Sequence, residues 1–279
     1  MRVRLALGGG GVRGFFHLGL LKALKEAGVE VEAVAGSSAG ALAAALFAHG
    51  MPLELEPLLQ ALHDPELEKL AKKSRLRAGA ALLKSLHRPA LYPAERLEER
   101  LVRLFGNRRL EEAEIPLILT AADLKSGEPV YLREGPTARA VLASGAIPGI
   151  FPPVPWGERL LVDGDVAEKV PTGALAGQGR APLVAVDVSN TAEKPPPQTA
   201  LETLLLAGEA SRKRLKNLAL KEADLVLTLP EGTAIETFDF GQAPYLYELG
   251  QRAGRELPSR LPRRRVFALP WPWKAAKKR

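Results

Sequence analysis

Residues 3–50 read VRLALGGGGVRGFFHLGLLKALKEAGVEVEAVAGSSAGALAAALFAHG, and this stretch decides the fold. Its first apolar run, Val3–Leu7, predicts a buried strand, and after a glycine loop Phe15–Glu26 repeats apolar residues at helical spacing. Val31–Ala35 predicts a second strand that enters a tight turn, and Ala41–His49 predicts a helix of small residues. Strand, loop, helix, strand, turn and helix in this order predict a parallel βαβα unit.

The rest of the chain continues the alternation of strands and helices. Apolar segments that predict further strands are Ile115–Ala122, Val130–Leu132, Leu160–Val162, Leu183–Val188 and Leu225–Leu229. Helices are predicted at Thr137–Ser144 and Ala200–Lys221, at the end of the chain and through most of residues 53–109. The stretch from Gly145 to Gly157 is rich in Pro and Gly and predicts a loop. We therefore predict a single α/β domain over residues 1–254, with a three-layer architecture of a mostly parallel sheet with helices on both faces.

Composition excludes several classes of protein. Of the 279 residues, 46% are hydrophobic and 25% are charged, which is typical of a globular rather than a disordered chain. Cysteine is absent, so a disulfide scaffold, a thiol nucleophile and a cysteine-ligated zinc site are excluded. The four histidines form no H-E-x-x-H, and no metal is expected. The first apolar run is too short for a secretory leader, and no apolar stretch reaches 18 residues, so we expect a cytoplasmic location.

The net charge of +7 is concentrated in two segments. Residues 69–109 carry twelve basic and three acidic side chains, and residues 255–279 carry nine basic and one acidic. The remainder of the chain therefore has a net charge of −10. The first segment lies between the helix at residues 41–49 and the next predicted strand, where we expect a helical cap or lid.

The basic tail at residues 255–279 combines cations with aromatic side chains. It contains Arg263, Arg264 and Arg265 followed by Trp271 and Trp273, and such clusters favour peripheral contact with an anionic membrane. A solvated tail is the alternative. No helix-turn-helix, zinc-finger or RNA-binding motif accompanies the charge, so nucleic acid is not an expected partner. The oligomeric state is not predicted.

Gly36-Ser37-Ser38-Ala39-Gly40 fits the pattern G-x-S-x-G of a nucleophile elbow. The elbow places its serine on a strained turn between a strand and a helix, and small neighbours are needed there for steric reasons. A predicted strand precedes this turn and a predicted helix follows it. The alternative is an ordinary turn in which Ser38 caps the helix.

The glycine loop has two possible functions. Gly9, Gly11 and Gly14 fit the dinucleotide pattern G-x-G-x-x-G, and Glu30 or Glu32 follows at the distance that such a site requires. A run of free backbone N–H groups could equally form an oxyanion hole. An acyl-transfer enzyme explains both glycine motifs, whereas a nicotinamide enzyme explains one.

The general base is less clear from the residues alone. No histidine follows the acids at the predicted strand ends, so the order Ser, acid, His of an α/β-hydrolase is absent. A carboxylate acting directly on the serine remains, and Asp163 is the best candidate because it ends a short strand before Gly164. The alternative is an ordinary Asp-Gly turn. We expect His17, in the first helix, to be a packed residue.

Four blocks in this order resemble the bacterial patatin-like phospholipases. They are Gly9–Gly14 (GGGVRG) continuing into HLGLLKAL, Gly36–Gly40 (GSSAG), Ala143–Pro153 (ASGAIPGIFPP) and Asp163-Gly164. The resemblance implies a patatin-like fold and a Ser–Asp dyad without histidine, in which Ser38 is the nucleophile and Asp163 the base. It implies hydrolysis of fatty-acyl esters, often of phospholipids, without a cofactor.

The resemblance also implies roles for the residues around the dyad. Backbone N–H groups of the glycine loop would form the oxyanion hole, namely those of Gly9, Gly10, Gly11 and Val12. Supporting positions are Arg13, Gly14, Gly36, Gly40, Gly164 and Asp165. The sequence departs from the family pattern at Asp165, where Gly or Ala is usual, and at Lys169, near the usual place of an Asn. A second carboxylate facing the site would raise the pKa of Asp163, and Lys169 could offset that effect.

Three further functions stay open at this stage. A carboxylesterase or thioesterase would use the same dyad on other esters. A lipid-binding protein of the same fold could have lost efficient turnover through the altered acid motif. A dinucleotide-dependent oxidoreductase would use the glycine loop for pyrophosphate.

Overall fold

A computed structural model describes residues 1–69, 90–193 and 195–261 of the protein. The strands of these ranges form one eight-stranded mixed sheet. They are β1 (Arg2–Leu7), β2 (Glu30–Ser37), β3 (Leu117–Asp123), β4 (Pro129–Leu132), β5 (Val154–Trp156), β6 (Arg159–Asp163), β7 (Leu183–Asp187) and β8 (Leu225–Thr228). Hydrogen-bonded neighbours follow the path β5-β6-β3-β2-β1-β7-β8, and β4 also pairs with β3.

The helices connect and cover these strands. They are α1 (Phe15–Glu26), α2 (Ala39–Ala48), α3 (Leu55–Leu62), α4 (Ala94–Phe105), α5 (Thr137–Ser144), α6 (Ala200–Ala219) and α7 (Ala243–Arg260). No helix in the described part of the chain is long and apolar enough to cross a membrane.

The prediction of one α/β domain with a mostly parallel sheet is confirmed. β3, β2, β1, β7 and β8 run parallel, and β4, β5 and β6 are antiparallel to their neighbours. The prediction of an uninterrupted loop from Gly145 to Gly157 is wrong in one detail, since β5 lies within it. That strand has three residues and contains Pro155, so its pattern is too short to be distinguished from a loop.

Side chains alternate across the sheet and build two cores of different character. On one face Leu5, Leu7 and Val34 pack with α1 and α2 in the larger core. On the other face the strands present mainly alanines, which are Ala6, Ala33, Ala35 and Ala185. Their small side chains allow the chain around Val170–Leu175 to approach closely, with the end of α6 beside it.

β3 brings the ends of two other strands together. β4 and β6 both pair with Ala121 and Ala122, so they occupy opposite edges of β3, and β2 shares its edge with β6. On that edge β2 ends with Ser37 opposite Thr120, and β6 ends with Asp163 opposite Ala121. β2 and β6 run in opposite directions, and their carboxyl ends therefore meet beside consecutive residues of β3.

α1 and α7 pack at very short distance through glycines. A Cβ atom on Gly19 would lie 2.0 Å from the carbonyl oxygen of Tyr247, and one on Gly250 would lie 2.0 Å from that of Phe16. The contact starts near the glycine loop and continues to Gly254, beside Ala23. It fixes the helix that follows the glycine loop.

Two sequence predictions fall partly outside the described residues. Of the predicted cap, residues 70–89 are not described, whereas α4 belongs to it and is helical as expected. Of the predicted tail, residues 262–279 are not described. The predicted domain boundary at residue 254 lies within α7, which continues to Arg260 because Leu257 is fully buried.

We expect Gly250→Ala to lower the free energy of unfolding by about 1–3 kcal/mol, because the added methyl group forces α1 and α7 apart. Gly208→Ala, in α6, is the matched control. Its nearest atom would be a guanidinium nitrogen of Arg212 at 3.5 Å, so the better helix propensity of alanine should stabilise the protein by up to about 1 kcal/mol. Thermal unfolding of both variants tests this, and equal shifts in Tm would contradict it.

Candidate active site

The turn between β2 and α2 holds Ser38 in a strained backbone conformation. Ser38 has φ 54° and ψ −120°, and within the described ranges no other residue except glycine has a positive φ. A Cβ atom on Gly36 would lie 2.3 Å from the carbonyl oxygen of Gly40, and one on Gly40 would lie 2.1 Å from that of Leu7. The two glycines are thus sterically required, as a nucleophile elbow needs. The side chain of Ser38 makes no capping hydrogen bond to α2.

The side chain of Ser38 donates a hydrogen bond to Asp163. The distance from Ser38 Oγ to Asp163 Oδ2 is 2.7 Å, and the two residues are 8% and 3% exposed. Asp163 is the last residue of β6, so its position follows from the meeting of strand ends on β3. Gly164 continues the chain where a Cβ atom would lie 2.3 Å from the carbonyl oxygen of Thr120. The structure brings together the two residues that the resemblance paired.

The electrostatics of the pair favour a carboxylate of raised pKa. Burial and then the negative charge of Asp165 raise the pKa of Asp163 from 3.8 to about 7. Hydrogen bonds from the Asp165 N–H and from Ser38, and the charge of Lys169, act in the opposite direction. Lys169 Nζ forms an ion pair with Asp165 Oδ2 at 2.8 Å, and both side chains are largely covered. The two departures from the family pattern therefore form an ion pair with each other beside Ser38 and Asp163.

The glycine loop lies against Ser38 but offers fewer free N–H groups than expected. The N–H of Gly9 donates to the carbonyl of Lys169 at 3.0 Å, and that of Val12 donates to Thr237 at 2.8 Å. These bonds correct the prediction that Gly9 and Val12 contribute to an oxyanion hole. Within the described ranges the N–H groups of Gly10 and Gly11 donate to no protein acceptor. Gly11 and Ser38 line the same cavity.

Hydrogen bonds from the buried side chains of Arg13 and His17 fix the glycine loop in position. The guanidinium of buried Arg13 donates to the carbonyl of Val188 at 2.7 Å and to that of Ile235. His17 is fully buried, and its Nε2 lies 2.8 Å from the carbonyl oxygen of Gly8. Burial lowers the pKa of His17 to about 4, so the ring is neutral and Nε2–H is the donor. The structure thus agrees with a packed role for His17.

Ser144 is a site residue that sequence reasoning did not identify. This fully buried residue ends α5 and accepts the backbone N–H of Ser38 at a distance of 2.9 Å. Its hydroxyl donates to the carbonyl oxygen of Thr120 at 2.6 Å. Ser144 therefore ties the elbow to β3. Its only signal in the sequence was its place in the block Ala143–Pro153.

An apolar cavity of about 150 Å³ opens beside Ser38. Its wall is formed by side chains of α1, α2, α3, α4, α5 and the loops around them. The apolar lining residues include Phe15, Leu18, Leu42, Leu62, Leu67, Leu97, Leu101, Val141, Ile147, Phe151, Phe238 and Phe240. The part of the predicted cap that is described thus contributes α4 to this wall.

The dinucleotide interpretation does not fit the position of the acidic residues. Glu30 pairs with Arg2 at the amino end of β1, whereas the glycine loop follows Leu7, about 16 Å further along the strand. Glu32 accepts the N–H of Ala181 at 2.8 Å, also at the amino edge. Neither carboxylate can reach a ribose whose pyrophosphate sits on the glycine loop. In the described ranges no three His, Asp or Glu side chains are grouped to hold a metal ion.

Comparison with known proteins identifies relatives of the chain. Residues 5–176 match the family model of patatin-like phospholipase. An uncharacterised NTE family protein of Mycobacterium tuberculosis is 32% identical over 194 residues, which cover 70% of this chain and 51% of that protein. Patatin-like phospholipase domain-containing protein 6 of Mus musculus is 30% identical over 201 residues, covering 68% of this chain and 14% of that protein. The chain thus spans about half the length of the mycobacterial relatives.

A solved structure shares the fold. VipD from Legionella pneumophila aligns with a TM-score of 0.52 and 14% identity, covering 92% of this chain and 66% of that one. At this identity the likeness concerns the fold alone.

We expect Asp163→Asn to change how stability depends on pH. Because the pKa of Asp163 is about 7 in the folded protein and ordinarily 3.8, the folded state keeps a proton that the unfolded chain has lost. Wild-type stability should therefore fall relative to the variant as the pH rises from about 4 to about 7, and the difference should level off above that range.

Urea unfolding at a series of pH values measures this difference. Asp123→Asn is the control, because the N–H of Lys125 is the main cause that lowers the pKa of the Asp123 carboxyl. Above about pH 5 Asp123 is ionised in both the folded and the unfolded state, so its substitution should give a nearly constant difference between pH 5 and 7. A constant difference for Asp163→Asn would contradict the expectation.

Proposed function

The chain belongs to the patatin-like phospholipase family, and from this membership and the geometry of the site we propose that it is a serine acyl hydrolase. Its substrates are fatty-acyl esters, in the first place phospholipids and lysophospholipids. Ser38 is the nucleophile and Asp163 the base. The observation that carries the proposal is the 2.7 Å hydrogen bond between Ser38 Oγ and Asp163 Oδ2 on a strained elbow, beside an apolar cavity.

The reaction proceeds in two halves through an acyl-enzyme. Ser38 Oγ attacks the ester carbonyl carbon while its proton moves to the ionised carboxylate of Asp163. The tetrahedral intermediate collapses, the C–O bond to the alcohol breaks, and Asp163 returns the proton to the leaving oxygen. Water then attacks the acyl carbon, with Asp163 again accepting and returning a proton, and releases the fatty acid. A base with a pKa of about 7 suits this task near neutral pH.

The N–H groups of Gly10 and Gly11 stabilise the oxyanion in this scheme. They are the members of the glycine loop whose N–H groups are free in the described structure. The amino end of α2, directly after Ser38, adds a favourable dipole. One such donor is worth about 2.7–4 kcal/mol of the barrier.

The apolar cavity accommodates the acyl chain. It is bordered at one point by Ser38 and otherwise mostly by aliphatic and aromatic side chains, which favour hydrocarbon over a polar head group. Carboxylesterase or thioesterase activity would use the same residues and cavity. A binding protein without turnover would keep the cavity but would not need the raised pKa of Asp163.

Labelling with a fluorophosphonate probe tests the nucleophile. Wild-type protein should be labelled, whereas Ser38→Ala should not, and Asp163→Asn should react far more slowly. Both variants should hydrolyse a soluble short-chain nitrophenyl ester at least about 10³-fold more slowly. Ser144→Thr, which keeps a hydroxyl on α5, should retain labelling. Labelling of Ser38→Ala at the wild-type rate would exclude Ser38 as the nucleophile.

The charges of the ion pair beside the dyad should shift the acid limb of the pH–rate profile. Below its pKa Asp163 is protonated and cannot accept the Ser38 proton, so wild-type kcat/KM should rise through about pH 7. Asp165→Asn removes a negative charge that raises this pKa and should move the limb to lower pH. Lys169→Met removes a positive charge that lowers it and should move the limb to higher pH. Shifts of the same sign in both variants would contradict the assignment.

A further inference from the structure

α6 is a 20-residue helix without a single buried residue. Its first two turns carry four leucines, Leu201, Leu204, Leu205 and Leu206, which together are named the leucine tip. Leu204 and Leu205 are 69% and 61% exposed, the highest values among the large hydrophobic residues of the described ranges. An apolar group of this size at the end of a helix is a feature that folding alone does not explain.

Contacts at the other end of α6 fix its direction. Lys216 Nζ forms an ion pair with Asp187 Oδ2 at 2.6 Å, at the carboxyl end of β7. Eight residues later Asp224 pairs with Leu183, at the amino end of the same strand. From Lys216 to Asp224 the chain therefore runs from the carboxyl end of β7 to its amino end. The turns of α6 before Lys216 extend in the opposite direction, beyond the edge of the sheet at which the parallel strands have their carboxyl ends. This is the edge on which Ser38 lies.

The leucine tip is followed by a positively charged segment. Arg212, Lys213 and Arg214 lie two to three turns after it, about 12–15 Å along the helix axis. Carboxylates of the described residues form no ion pair with these three side chains. The acidic residues of α6 are Glu202, which accepts the N–H of Gln198 at the start of the helix, and Glu209, one turn before Arg212, so the segment from Glu209 to Arg214 has a net positive charge. The helix thus has an apolar end followed by cations that form no ion pair with the described residues. An anionic lipid interface has the matching order, with acyl chains beneath anionic head groups.

We propose that the leucine tip of α6 docks the protein on an anionic phospholipid bilayer. The leucines enter the acyl boundary, and Arg212–Arg214 contact phosphates of the head groups. The proposal rests on the proposed function in that the bilayer supplies the ester substrate. A second copy of the chain would bring its own three cations to the contact, whereas anionic head groups neutralise them.

A single-cysteine variant tests insertion directly, because the chain contains no cysteine. Leu205→Cys, labelled with an environment-sensitive nitrobenzoxadiazole fluorophore, should show a several-fold rise in emission with vesicles of phosphatidylglycerol and phosphatidylcholine. Leu218→Cys is the matched control, since Leu218 is 49% exposed on the same helix, about 20 Å away, and its emission should not change. Unchanged emission at residue 205, with the protein bound to the vesicles, would overturn the proposal.

Paired double variants test the energetic contribution. Leu204→Gln with Leu205→Gln should weaken vesicle binding at least about tenfold, because two exposed leucines lose their apolar burial. Leu215→Gln with Leu218→Gln, on the same helix, should bind like the wild type. Both doubles should hydrolyse a soluble short-chain ester at the wild-type rate, which also shows that they are folded. Equal vesicle binding by both doubles and the wild type would overturn the proposal.

Charge and competing occupants are tested separately. Changing Arg212, Lys213 and Arg214 to Gln should lower affinity for anionic vesicles by about fivefold per residue and weaken its dependence on salt. Vesicle binding measured in the Ser38→Ala background is independent of turnover. Loss of ester hydrolysis alone would therefore contradict the proposed function and not this proposal.

Two other results would assign the leucine tip differently. If the protein self-associates, the leucine-tip double variant removes the self-association and no vesicle binding is seen, the tip contacts a second copy. Vesicle binding lost only on deletion of residues 262–279 would assign it to the tail.

Discussion

The hydrogen bond between Ser38 and Asp163 depends on the way in which β3 positions two strand ends. Hydrogen bonding along one edge of β3 sets the last residue of β2 opposite Thr120 and the last residue of β6 opposite Ala121. Neither member of the pair therefore relies on a long loop for its position. The close approach of Gly164 and the hydroxyl bridge of Ser144 then hold the elbow in the one arrangement that brings oxygen to oxygen at 2.7 Å.

The proposed dyad of Ser38 and Asp163 contains no imidazole, so the proposed mechanism requires a carboxylate that is a stronger base than an ordinary aspartate. Burial supplies most of that change, and the neighbouring Asp165 adds to it, while Lys169 limits it. The same environment disfavours the ionised form that the proposed mechanism uses, so ionisation of Asp163 lowers the stability of the folded protein. The packed core around β1 and the close contact of α1 with α7 offset this local cost.

The sequence predicted most of the parts and little of their mutual contacts. The unit from β1 to α2 was predictable because its signals are local, namely apolar periodicity and sterically required glycines. The elbow pattern made Ser38 a candidate nucleophile, and the strand end before Gly164 made Asp163 a candidate base. The resemblance paired them, and the structure places both side chains in contact. The loss of Gly9 as an oxyanion donor was not predictable, because its acceptor is on Lys169, distant in sequence. The same holds for Ser144, whose partners belong to two other elements.

The end-to-end meeting of β2 and β6 also limits how relatives of this chain can differ in length. One residue inserted in β3 between the two contact points would move the strand ends apart by about 3.3 Å and turn one side chain to the opposite face. The turn at 124–128 between β3 and β4 lies outside this register and can change in length. Insertions and deletions should therefore accumulate there, while the residue count between Leu117 and Ala121 stays constant.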